Sequence, residues 1–162
     1  MLAEILPKIL VVCRDPALLT GLQPVLAATG ARMEVADCAT TALTAMVAAP
    51  LPILALLDGA LSQAEIGQLI AAAHASTGTH PYPIVVLADL VPEEWCRRLA
   101  EGVLDDVIPR AQTNPHWRLR LDFVLRACDR LRELDHLRET AQGNAHTDPG
   151  AAVEKPAQSC PL

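Results

Sequence analysis

"KILVVCRDP", Lys8 to Pro16, is the stretch whose reading decides the fold. Lys8 to Val12 is nearly continuous in apolar residues, as a strand covered on both faces must be, and it is too short for a buried helix. Where it stops the character changes at once: Cys13, Arg14 and Asp15 precede a helix-period stretch.

The same alternation recurs along the chain. "KILVVC" (8–13), "RMEVA" (32–36), "ILALL" (53–57), "PIVVLA" (83–88) and "DVIP" (106–109) read as strands. Helical segments lie between them at about 16–29, 39–49, 62–75 and 92–101, and a long one follows from about 115 to 141. Pro92 followed by Glu93 and Glu94 starts the fourth, and Gly102 stops it. Pro24 lacks an N–H donor and is expected to kink the first. The order predicts an α/β protein, a doubly wound (βα)5 five-stranded parallel sheet, with its functional crevice at the carboxyl ends of the strands.

Composition narrows the function. The 162 residues suffice for one core and a tail. Apolar residues are 51% and charged residues 20%, a globular balance, while Tyr82, Trp95, Trp117 and Phe123 are the whole aromatic complement. A net charge of −6 argues against general nucleic-acid affinity. Glu4, Pro7 and Lys8 interrupt the first apolar run, so it does not read as a signal peptide. No run approaches the roughly 20 apolar residues of a membrane span, and a cytoplasmic location is expected. Cys13, Cys38, Cys96, Cys128 and Cys160 form no C-x-x-C pair, and the five histidines share no ligand spacing, so no metal is expected from either.

Four charged groups converge on the predicted rim: Asp15 after the first strand, Asp58 after the third, Asp89 after the fourth and Arg110 after the fifth. Lys8 to Pro16, "LLDGAL" (56–61), "PIVVLA" (83–88) and "DDVIPR" (105–110), taken in order, resemble the receiver domain of bacterial two-component response regulators over roughly residues 8–130. The resemblance implies a flavodoxin-like fold and a phosphoacceptor aspartate after the third strand, here Asp58, which takes a phosphoryl group from a phosphohistidine. It further implies two acids after the first strand to hold Mg²⁺, a Thr or Ser after the fourth, a Lys after the fifth, and a switch aromatic ahead of that Lys.

This chain departs from each auxiliary position. The acid pair is Cys13 and Arg14, the hydroxyl position Ala88, the Lys position Arg110 and the switch position Val107. Ala111 stands where a Pro is usual, and the loop after Asp58 reads Gly59, Ala60, Leu61, Ser62. With Arg14 and Arg110 both facing Asp58, the pocket would hold about +1, or about 0 with Asp15 turned inward, against about −2 in the family. Mg²⁺ favours carboxylate oxygen and dehydrates reluctantly, so no useful site is expected and no cofactor is assigned. Two uses of the arginines are open: cradling a phosphoryl group without metal, or pairing permanently with Asp58. The second is the expectation adopted.

The segment from Asn114 carries an apolar stripe of Trp117, Leu121, Val124, Cys128 and Leu131, which Leu134 and Leu137 extend with a shifted phase. It continues for roughly 25 residues, ~38 Å, and its second half is expected to meet a partner helix. Trp95, Val107, Trp117, Leu131 and Leu134 are the expected partner or dimer face, with ordinary core filler the open alternative for the two tryptophans. After about Gln142 the Gly, Ala and Pro content predicts a disordered tail. The division is therefore 1–130 receiver-like, 115–141 extended helix, 142–162 tail.

Together these predict an atypical receiver that is not an enzyme. It would act by protein contact in two-component signal transduction, probing a histidine kinase or output protein and pairing as a homodimer. The alternative is a working phosphoacceptor in a phosphorelay, with Asp58 phosphorylated and Mg²⁺ bound.

Overall fold

The computed structural model describes residues 6–76, 82–111 and 114–145. The chain divides into two compact units, Met1–Asp129 and Arg130–Leu162.

In the first unit strands and helices alternate: β1 (Lys8–Val12), α1 (Pro16–Ala27), β2 (Arg32–Ala36), α2 (Ala39–Val47), β3 (Pro52–Asp58), α3 (Gln63–Ser76), β4 (Ile84–Leu87), α4 (Glu93–Ala100) and β5 (Asp106–Ile108). The last helix, α5 (Asn114–Ala145), begins in this unit. The strands form one sheet in the order β2-β1-β3-β4-β5, and every pairing is parallel. This is the doubly wound parallel sheet expected from the apolar runs, in the flavodoxin-like fold that the resemblance implies.

Alternation along the central strands supplies both cores. Leu10, Val12, Ala55 and Leu57 face one way and join Met46 of α2, Ile66 and Leu69 of α3 and Trp95 of α4. Ile9, Val11, Leu54 and Leu56 face the other way and join Leu22 and Leu26 of α1 and Trp117, Leu121 and Val124 of α5. Each fully buried Leu or Ile contributes about 1.5–3 kcal/mol, which is why β1, β3 and β4 cannot carry polar residues in their interiors.

Lys8 opens β1 and is nonetheless buried. Its Nζ donates to Ala45 O at 2.8 Å and Ala48 O at 3.4 Å, at the carboxyl end of α2, and lies 3.4 Å from Glu34 Oε2. The last carbonyls of a helix and a carboxylate offset the cost of burying the ammonium.

Helix ends shift from expectation, by four residues at the end of α5 and by one or two elsewhere. α1 stops at Ala27, with Gly30 at φ 73° turning the chain into β2, and it continues past Pro24 to get there. α5 runs to Ala145, so residues 142–145 are helical rather than tail; the first proline able to stop the helix is Pro149. The remainder of the expected tail, 146–162, lies outside the described residues.

Trp95 and Trp117 require a correction. They are 3% and 5% exposed and belong to different cores, on opposite faces of the sheet. Val107 is partly buried and packs on the Trp95 side. The three therefore do not make a shared outer face. Trp117 simply opens the sheet-facing stripe of α5. The large exposed apolar side chains of α5 in this unit are instead Leu119 and Phe123, at 68% and 72%.

In the second unit the described chain is the remainder of α5. Leu131, Leu134 and Leu137 are all exposed there. Among the described residues no helix is long and apolar enough to cross a membrane.

Candidate functional site: a carboxylate closed by arginine

Parallel register places the site. Val12 pairs with Leu57, so the residues that follow, Cys13 and Asp58, leave adjacent central strands at the same rim. Asp58 ends β3 and is 3% exposed. Its Oδ1 accepts from Ala60 N at 3.0 Å. Its Oδ2 accepts from Cys13 Sγ at 3.3 Å and from Arg110 Nη2 at 3.3 Å. Arg110 Nε lies 3.1 Å from Oδ1, but its N–H is buried and not aimed at an acceptor, so that approach is a charge contact and not a hydrogen bond.

The same Arg110 Nη2 donates to Asp15 Oδ2 at 2.9 Å. Asp15 meanwhile caps α1, its Oδ1 accepting from Ala17 N at 2.9 Å. One guanidinium thus bridges a buried carboxylate from β3 and a half-exposed one from the end of β1. Its own loop is fixed on both sides. Ala111 N donates to Asp89 Oδ1 at 3.2 Å, and Trp117 Nε1 donates to Pro109 O at 3.0 Å.

Arg14 does not take part, and this corrects the expected pocket charge. Its Nε donates to Asp37 O and its Nη2 to Glu65 Oε1, both at 2.8 Å, with the side chain 57% exposed. The reason is the period of two at a strand's end: when Cys13 turns to Asp58, Arg14 turns the other way. With formal charges on Asp15, Asp58 and Arg110 only, the cluster carries about −1. Glu65, the partner sequence reasoning missed, was detectable as the fourth residue of "SQAE", a capping box opening α3.

The remaining expected positions are closely packed. Ala88 is 7% exposed and offers no hydroxyl. A Cβ on Gly59 would stand 2.6 Å from Ala88 Cβ, 2.9 Å from Leu87 O and 3.2 Å from the Trp95 ring. Tryptophan, alanine and glycine therefore pack closely where the chain leaves β3.

Mg²⁺, which the receiver pattern implies, does not fit these side chains. It wants hard oxygen ligands in octahedral geometry. Burial, with the nearby Asp58 carboxylate, pushes the Cys13 thiol up to about 11, so a neutral sulfur faces Asp58 where an oxygen ligand is needed. Arg110 lies between the two carboxylates that could serve. Among the described residues no group of three His, Cys, Asp or Glu side chains is placed to hold a metal ion.

The fold has many solved counterparts. A CheY-like response regulator receiver domain from Methanospirillum hungatei superposes with TM-score 0.64 at 20% identity, covering 77% of this chain and 98% of its own. The signal receiver domain of an HD domain-containing protein from Pseudomonas fluorescens gives 0.63 at 21%, covering 76% and 97%. The receiver domain of a sensor histidine kinase from Pseudomonas aeruginosa, which has a magnesium ion coordinated in its active-site cleft, gives 0.61 at 15%, covering 74% and 97%. No family model and no curated protein matches the sequence. The chain has the receiver fold.

Proposed function

We propose that this chain is a receiver-type signalling module that acts through protein contact, without Mg²⁺-dependent phosphorylation. The observation that carries the reading is the Arg110 guanidinium bridging Asp15 and Asp58. It supplies from within one of the two positive charges that a divalent ion would bring. Ala88 and Val107 add to this: neither the hydroxyl that would grip a phosphoryl oxygen nor the aromatic that would move in response is present.

In this reading the module is not an enzyme and needs no cofactor. It works in the cytoplasm on a histidine kinase or output protein of a two-component system, as a homodimer. Receiver-type neighbours support the signalling class, and the pocket supports its independence from metal.

The test is intact mass after incubation with a small-molecule phosphodonor and Mg²⁺, alongside Asp58→Asn. The proposal expects no phosphoryl adduct on either. Stoichiometric labelling of the wild type that disappears in Asp58→Asn would establish a working phosphoacceptor instead.

A further inference from the structure

The second unit presents an apolar seam with nothing described against it. Leu131, Leu134 and Leu137 are 61%, 50% and 58% exposed, and the other residues between 130 and 139 are all Arg, Glu, Asp or His. Leucine at three positions within seven residues is a heavy apolar load for a helix in water, and such a stretch is marginal without packing.

Its spacing is specific. Leu134, Leu137 and Ala141 follow one another by three and four, the alternation of the a and d positions of a heptad. With Leu134 at a, Leu137 takes d and Leu131 the flanking e. Read back along the sequence, the same alternation passes through Arg130 to Ala127 and Phe123. Arg130 interrupts the apolar series, which makes a weak pair and not a permanent one.

Charge settles which occupant fits. In that register Glu133 falls at g and Arg138 at the following e. In two parallel helices in register, a g residue faces the next e residue of its neighbour, so Glu133 meets Arg138 of a second copy twice, once on each side. Arg138 is 75% exposed and holds Asp135 of its own helix only at 3.5 Å, leaving it able to reach across. An antiparallel pair would set e against e and g against g, and this complementarity would be lost.

We infer that residues 131–141 form a parallel, in-register, two-stranded seam with a second copy of this chain, closed by Leu134 and Leu137 and oriented by Glu133 and Arg138. This deepens the homodimer in the reading above by naming its surface and direction. It is independent of Asp58 chemistry, so its failure and that of the metal-free pocket are distinguishable.

Sedimentation velocity on the full chain, from low to high micromolar concentration, tests it. Concentration-dependent dimers are expected, with Leu134→Glu combined with Leu137→Glu returning the chain to monomer. Because both leucines are exposed, circular dichroism should show the sheet domain of that variant still folded. Glu133→Arg is expected to weaken the dimer roughly tenfold by setting like charges together, and adding Arg138→Glu to restore it. A wild type that stays monomeric throughout, a dimer indifferent to the leucine changes, or one that ignores the charge reversal would each overturn the proposal.

Discussion

Arg110 is asked to do two things at once, and its shape decides whether another residue could. A guanidinium offers several donors in a planar fork, so it can hold Asp15 and Asp58 together. An ammonium is a point charge and would favour one carboxylate. Arg110→Lys should therefore lower stability by about 1 kcal/mol and Arg110→Ala by about 1–3 kcal/mol, the latter leaving Asp58 buried without a cation. Urea unfolding measures both. Gly59→Ala should cost a similar amount, because its new methyl meets Ala88 and the Leu87 carbonyl, neither of which is a flexible chain end. Cys13 is the chemical counterpart of this closure. With its pKa raised from 9.0 to about 11, the neutral thiol is favoured in the folded state, so its contribution to stability falls as pH rises through that interval. At pH 8 a thiol reagent followed by peptide mapping should label exposed Cys96 well before buried Cys13.

At the scale of elements, α3, like α1 with its Asp15 cap, has its start tied to the rim. Glu65 Oε2 accepts from both the backbone N–H and the hydroxyl of Ser62 at 2.9 Å, and Arg14 holds its other oxygen. These contacts, Ser62 foremost, hold the Glu65 carboxyl below its ordinary 4.5. A depressed carboxylate stabilises the fold above its unfolded value and loses that contribution as pH falls through the folded one. Stability measured below pH 4.5 should thus decline less steeply in Glu65→Gln than in the wild type. Elements of this kind were legible in the sequence to different degrees. The strands were plain, since buried parallel strands read as continuous apolar runs bounded by polar rims. Asp58 and Arg110 were placed at one rim by the same runs. The direction of Arg14 follows from the single residue of strand period that separates it from Cys13, which apolar runs alone do not display. Nor could spacing show that Trp95 faces inward: that depends on the room left by Gly59 and Ala88, which come from other elements.

At the scale of the molecule, the two tryptophans report on the cores and α5 on assembly. Both rings are buried, so their fluorescence should resist quenching by acrylamide and should not change with protein concentration, even where the chain dimerises. Strong quenching would return them to the surface. Leu131, Leu134 and Leu137 lie in the second unit, while Leu119 and Phe123 are exposed in the first. Under the proposed function, a pocket bridged from within by arginine and an apolar helix offered outward are the two halves of a module that signals by contact.

The most direct measurement of the central idea is a Mg²⁺ titration followed by amide and guanidinium NMR at Ala60, Ala111 and Arg110 Nε. Those signals should stay where they are through millimolar Mg²⁺, while Arg110→Ala is permitted to respond. A saturable shift in the wild type, with Arg110 Nε moving to a solvent-like position, would mean that the ion displaces arginine and would contradict the account.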